Sequence, residues 1–166
     1  MRTGIALGSN VGDRLEHLRS GREQILTLQG VGPPNLSSSI YETAPVGPGV
    51  GTDQFLNAVI EFEFNGHSSE LLEALQRIEA LHGRASKRPR NAPRTLDLDI
   101  LYVGNLVLAN QEVIIPHPRL HLRRFVLRPL AEIRPDLILP GQNSSISQLL
   151  SSLTDNTAVE LSTAHW

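Results

Sequence analysis

No cysteine occurs in the 166 residues. Disulfides, thiolate nucleophiles and Cys-based zinc sites are therefore excluded together. Aromatic residues are scarce at 4%, and the net charge is only −2. A domain that grips nucleic acid through a basic face and stacking rings would show more of both. No apolar run reaches the roughly 18 residues of a spanning helix. The N-terminal MRTGIALGSN has no signal-length apolar stretch, so a cytoplasmic setting without a membrane partner is expected. Only one lysine, Lys87, is present, and no Gly-x-x-x-x-Gly frame precedes it, which excludes a Walker-type phosphate loop. The protein-kinase set of Gly-rich loop, strand lysine and Asp-Phe-Gly is absent too. Gly4 and Gly8 do not make a dinucleotide fingerprint, and no Gly-x-Ser-x-Gly elbow occurs.

What remains is a chain that is 40% hydrophobic and 19% charged, the composition of a globular domain. Its length fits one compact unit, able to bury roughly 70% of its unfolded surface. We take residues 1–153 as that unit and 154–166, rich in polar residues, as a poorly fixed C-terminal tail. The charge is unevenly placed. Residues 84–94 hold Arg84, Lys87, Arg88, Arg90 and Arg94, and residues 119–128 hold Arg119, Arg123, Arg124 and Arg128. Neither stretch contains an acid, so the other 145 residues carry six basic against 17 acidic groups. Cations gathered in this way fit a local anion site, and equally two solvated arginine-rich loops.

Residues 3–8 read as a strand ending at Gly8-Ser9-Asn10. A helix should start at Asp13, with Glu16 completing an Asp-x-x-Glu cap, and Leu15, Leu18, Ile25 and Leu28 as its apolar stripe. Gly30, Gly32, Pro33 and Pro34 should end it, before a second strand over 36–43. In residues 54–64 the period is clearest: Leu56, Ala58, Ile60, Phe62 and Phe64 share one face, and Phe55, Asn57, Val59, Glu61 and Glu63 the other. A helix follows from Ser68 or Ser69, burying Leu71, Leu75, Ile78 and Leu81 and stopping at Gly83. In TLDLDILYV, Leu96, Leu98 and Ile100 oppose Asp97 and Asp99. Short helices near 125–133 and 146–153 complete a C-terminal extension. The order β-α-β-β-α-β predicts an α+β, ferredoxin-like antiparallel sheet with two helices on one face. The opposite face then carries Phe55, Asn57, Asp97 and Asp99.

Asp97 and Asp99 stand two apart on a strand, so both carboxylates share a face roughly 6.6 Å apart. The pair alone fits either a solvated strand face or a hard-cation site, with Mg²⁺ favoured because it takes a carboxylate or two plus phosphate oxygens. The neighbouring arginines select the second: acids alone would repel a triphosphate, whereas acids carrying Mg²⁺ among arginines would hold one. His117 lies between two prolines, where a packed or capping histidine is the ordinary reading. Phe125, inside a basic stretch, is either a helix-start core residue or a ring that stacks on a flat ligand. The Asn57 amide suits the edge of a heterocycle.

The segments IALGSN, YETAPVG, FLNAV, RIEALHGR, PRTLDLDILYVG, IPHPRL and RRFVLRPLAEI, in that order from about residue 5 to residue 133, resemble the 6-hydroxymethyl-7,8-dihydropterin pyrophosphokinases of folate biosynthesis. The resemblance runs on to about residue 153. It implies transfer of pyrophosphate from ATP to the pterin hydroxymethyl group with release of AMP. ATP would be the co-substrate and two Mg²⁺ ions would be held by Asp97 and Asp99. It places Arg84 and Arg94 at the triphosphate as catalytic cations, and His117 and Arg123 also at the ATP. Gln76 and Glu79 fall at nucleotide-site positions, and Ile100 where backbone groups meet adenine. Asn57 falls on the pterin's hydrogen-bonding partner, Phe55 and Phe125 on its two stacking rings, and Thr43, Pro45 and Val46 on its loop wall. Some members of the family carry Tyr in place of Phe55, and Arg and Trp where this chain has Ser86 and Asn91. Lys87, Arg88 and Arg90 would then take a larger part in closing the loop. A monomer without nucleic-acid partners is expected, with association with other folate-pathway enzymes as a further expectation. A non-catalytic ferredoxin-like module that binds a metabolite or nucleotide is the alternative.

Overall fold

The computed structural model describes residues 1–44, 53–83 and 93–166. The elements run β1 (Arg2–Ser9), α1 (Arg14–Leu26), β2 (Val31–Ser37), β3 (Ile40–Thr43), β4 (Phe55–Phe64), α2 (Ser68–Leu81) and β5 (Asp97–Val103). There follow the short β6 (Leu108–Ala109) and β7 (Ile114–Ile115), a 3₁₀ turn (Leu120–Leu122), α3 (Arg124–Ile133), α4 (Ile146–Ser152) and β8 (Val159–Thr163). Five strands form an ordered antiparallel path, β5-β1-β4-β3-β8, and β2 joins β4 beside it. The result is a mixed α/β domain with an antiparallel sheet and four helices.

The period-2 reading of β4 explains one layer. Leu56, Ala58, Ile60, Phe62 and Phe64 all enter a core with Leu18 and Ile25 of α1 and Leu71, Leu75 and Ile78 of α2. Leu98 and Ile100 of β5 join the same core. The Asp13 side chain caps α1 by accepting the Glu16 amide at 3.1 Å. Leu81, expected on the buried face of α2, is the last residue of the helix and is 79% exposed.

The other face differs from a bare polar platform. α3 and α4 cover much of it, and Val59, Leu101, Tyr102, Val126, Leu127 and Leu130 form a second core there. Glu61, which alternation would send to solvent, is buried instead. It accepts from Tyr102 Oη at 2.6 Å and from Arg134 Nη1 at 3.0 Å. A buried carboxylate is tolerated when donors surround it, and here the donors come from a segment far along the chain. Burial, then the bond to Glu61, pushes the Tyr102 phenol far above its ordinary pKa.

Three other expectations are revised. The helix ends by Leu26 and Pro33-Pro34 lie inside β2. Proline cannot donate to a ladder, and the register with β4 shifts between Gly32 and Leu36. The predicted strand over 36–43 is in fact divided at Ser38-Ser39. The residues after 153 are also better fixed than a loose tail: β8 pairs with β3. Trp166 Nε1 donates to the Ser38 carbonyl at 2.7 Å, with the Arg22 guanidinium 4.4 Å above its ring. Five residues of edge pairing leave little periodic signal in a sequence.

Candidate active site

β1 is flanked by β4 and β5, and its register composes the site. Gly8 lies opposite Asn57 on one side and Asp97 on the other. Ala6 lies likewise between Val59 and Asp99. Residues paired across strands share a face, so two small residues form a floor from which Asn57, Asp97 and Asp99 rise. Phe125 and Val126 of α3 supply the wall of this cleft. At Gly8 a Cβ would stand 3.5 Å from Asn57 Oδ1 and 4.0 Å from Asp97 Cβ, so glycine keeps the space between those side chains open.

Each carboxylate has a cationic neighbour. Arg94 Nη1 donates to Asp97 Oδ2, and Arg123 Nη1 lies 3.4 Å from Asp99 Oδ2. Asp97 is 19% exposed and Asp99 40%, so both remain within reach of a ligand. The backbone of Arg94 is fixed by Asn10, whose Oδ1 accepts the Arg94 amide at 2.7 Å and whose amide donates to the Arg94 carbonyl at 3.0 Å. Arg123 sits where the 3₁₀ turn gives way to α3, with its guanidinium 5.6 Å above the Phe125 ring. Burial lowers the Arg123 pKa, and Asp99 pulls it back up.

His117 is anchored by its amide to the Leu101 carbonyl at 2.8 Å. Its Nδ1 accepts from the Arg119 amide at 3.1 Å, which leaves Nε2 to carry the proton of the neutral ring. Burial lowers its pKa, Asp99 opposes that, and Arg123 and Arg119 reinforce it. The ring is thereby kept as a neutral donor beside the two arginines.

Asn57, Thr43 and Phe55, which the resemblance assigns to the pterin, stand together on neighbouring positions of β3 and β4. Asn57 is 7% exposed, and its Nδ2 donates to Thr43 Oγ1 at 2.8 Å. That bond fixes the amide's orientation. Phe55 is paired with Thr43 and is half-buried. On the other side, Glu79 is only 5% exposed, and its Oε1 accepts the Leu98 amide at 2.7 Å. It thus ties α2 to β5 between the two aspartates. The Leu98 amide points off the outer edge of β5, and backbone orientation repeats every second residue, so Ile100 presents its backbone to the same edge. Gln76 is exposed on α2. Arg84, Pro45 and Val46 lie outside the described residues, as do Ser86, Lys87, Arg88, Arg90 and Asn91.

Sequence reasoning missed the floor residues Ala6 and Gly8 and the anchor Asn10. The signal was available: two small residues at i and i+2 on a central strand leave space on one face. Among the described residues no cluster of three or more metal-ligating side chains occurs, so the site offers no all-protein cage. Two carboxylates do suit Mg²⁺, which fills its remaining positions with water and phosphate oxygens.

Residues 4–135 match the family model described as 7,8-dihydro-6-hydroxymethylpterin-pyrophosphokinase. The chain is 40% identical over 157 residues to a 2-amino-4-hydroxy-6-hydroxymethyldihydropteridine pyrophosphokinase of Haemophilus influenzae, covering 95% of this chain and 96% of that protein. It is 45% identical over 129 residues to the Bacillus subtilis protein of the same name, covering 78% and 75%. A crystal structure of HPPK-DHPS in complex with substrates superposes with a TM-score of 0.70 at 13% identity. That alignment covers 91% of this chain but 43% of the other, and at such low identity it speaks for the fold alone.

Proposed function

Because the chain belongs to the 7,8-dihydro-6-hydroxymethylpterin-pyrophosphokinase family, we propose that the cleft over Ala6 and Gly8 is where pyrophosphate passes from ATP to the pterin. The activity is a pyrophosphokinase step of folate biosynthesis. It converts ATP and 6-hydroxymethyl-7,8-dihydropterin to AMP and the pterin diphosphate. The row Asn57–Gly8–Asp97 carries the assignment of the site: it sets a heterocycle-reading amide and a carboxylate on either side of an open floor.

Asn57, oriented by Thr43, reads the edge of the pterin, and Phe55 and Phe125 stack on its faces, with Pro45 and Val46 completing the wall. Arg94 and Arg123, now paired with the aspartates, neutralise the triphosphate together with Arg84, and His117 donates to it from Nε2. Gln76 and Ile100 serve the nucleoside end, while Glu79 holds β5 in place from beneath. Asp97 and Asp99 would hold two Mg²⁺ ions. When bound, these supply Lewis-acid polarisation of the phosphoryl oxygens and neutralisation of developing charge. The cleft's described side chains offer no unpaired carboxylate as general base, so placement and charge neutralisation carry the reaction. The pterin hydroxyl attacks the β-phosphorus in line, and AMP leaves.

The strand order β5-β1-β4-β3 supports a ferredoxin-like description of the unit over 1–153, with 154–166 added at the sheet edge. We read it as a monomer acting on small molecules in the cytoplasm, with no nucleic-acid or membrane partner. Association with other folate enzymes is supported by the fused HPPK-DHPS chain that shares its fold. The test is incubation with γ-³²P-ATP, Mg²⁺ and the pterin. AMP and labelled pterin diphosphate should appear in equal amounts. ADP with pterin monophosphate would overturn β-attack, and Mg²⁺-dependent ATP binding without pterin-dependent product would favour the binding-module alternative.

A further inference from the structure

α3 lies across the sheet face that carries the cleft, and one stripe of it faces β3. Phe125, Arg128 and Glu132 occur at i, i+3 and i+7, which places them along one side of a helix over about 10.5 Å. Phe125 walls the cleft. Arg128 places its guanidinium 5.1 Å from the centre of the Tyr41 ring. Glu132 receives three hydrogen bonds from the start of β3 and the turn before it. Ser39 Oγ donates to its Oε1 at 2.8 Å, and the Ser39 amide and Tyr41 Oη donate to its Oε2 at 3.0 and 2.9 Å. Charge-assisted bonds of this kind are the stronger class, and these three span more than 90 positions of sequence.

The other end of β3 belongs to the pterin side. Tyr41 is paired with Asn57 and Thr43 with Phe55, so these four side chains share the sheet face that α3 overlies. A flat ring between Phe125 and Phe55 needs a defined gap between helix and sheet. We propose that Glu132 is a positioning residue for the pterin: by clamping α3 to Ser39 and Tyr41 it fixes the gap between Phe125 above and Phe55 and Asn57 below. Glu132 touches no substrate and acts through the helix. Its effect should therefore fall mainly on pterin recognition, and least on the Arg94–Asp97 pair, which hangs on β5 and Asn10 rather than on α3.

The inference rests on the pyrophosphokinase reading, and the experiment separates the two. Steady-state turnover is measured for the full chain, Glu132→Ala, Glu132→Gln and Tyr41→Phe, varying pterin at saturating ATP and ATP at saturating pterin. Pterin affinity is measured in parallel by the pterin's own fluorescence, with a non-hydrolysable ATP analogue present. Glu132→Ala should raise the pterin KM about tenfold and weaken pterin binding to match, with the ATP KM changed less than about twofold. Glu132→Gln, which keeps one acceptor oxygen, should recover part of the loss. Tyr41→Phe removes one hydroxyl and should show a smaller shift of the same selectivity, which keeps the test open if Glu132→Ala does not fold. Equal rises in both KM values, or a lowered melting temperature with unchanged pterin kinetics, would overturn the positioning role while leaving the enzyme reading intact. A wild-type chain that neither binds nor converts the pterin would instead remove the reading on which the role depends.

Discussion

The two faces of the sheet come from the same strands and are finished in opposite ways. Beneath it, α1 and α2 meet β1, β4 and β5 through side chains that are almost wholly aliphatic or aromatic. Above it, α3 and α4 close only part of the surface. That covered part holds a buried Glu61–Tyr102–Arg134 group, and the part left open holds Asn57, Asp97, Asp99 and the floor of Ala6 and Gly8. One face therefore supplies cohesion, and the other presents polar groups at fixed spacings. A substitution should report its face by what it changes, stability below and turnover above.

The largest effect is expected above. Asp97→Ala or Asp99→Ala opens no cavity in either core, and each removes a partly exposed carboxylate. On the two-Mg²⁺ reading, kcat should fall about 10⁴-fold, on the order of 5 kcal/mol of transition-state stabilisation. The melting temperature should stay near that of the wild type. A folded variant that turns over at close to the wild-type rate would end the metal assignment and blur the contrast between the faces.

Below the sheet the order reverses. Phe62 is fully buried in the α1–α2 core, and Phe62→Ala should cost about 3–5 kcal/mol of stability. Its side chain points away from the cleft, so the fraction that remains folded should keep its KM values for ATP and pterin. Denaturant unfolding combined with kinetics well below the new midpoint checks both halves. A selective rise in one KM would show that the lower core is coupled to the site.

The lower face is also the one that was legible in the sequence. Strict alternation in β4 and the 3.6-residue spacing of Leu71, Leu75 and Ile78 encode burial locally, and packing followed that code. The Asp97–Asp99 pair was legible for the same reason, since a period of 2 assigns both to one face. The lid over the upper face was not. Glu61 and Tyr102 look like ordinary alternation until Arg134 arrives from the C-terminal cap of α3. Ser39 and Tyr41 carry no pattern that announces Glu132, and β8 reaches β3 by backbone pairing that any short polar segment could supply. Long-range polar contacts and edge pairing depend on which segments meet, and periodicity does not carry that information. The family resemblance named roles for Arg94, Arg123 and His117, but it did not say that each arginine would already be paired with an aspartate.

The smallest effect on stability is expected at Gly8, where the two faces can be pulled in opposite directions by one methyl group. Gly8 lies in the central strand with ordinary extended backbone. Glycine in a strand interior costs roughly 0.5–1 kcal/mol relative to alanine. A Cβ there would meet Asn57 Oδ1 at 3.5 Å and Asp97 Cβ at 4.0 Å, ordinary contact distances that require no movement. Gly8→Ala should therefore fold at least as well as the wild type, with a gain of up to about 1 kcal/mol in urea unfolding. The new methyl would nevertheless stand on the cleft floor, between the amide proposed to read the pterin and the carboxylate proposed to serve the phosphates. On the proposed reading the pterin hydroxymethyl group crosses that interval to reach ATP, so kcat/KM for the pterin should drop several-fold while ATP binding alone changes little. A variant that is both more stable and equally active would show that substrate does not pass over Gly8. The reacting centre would then lie nearer Ala6 and Asp99.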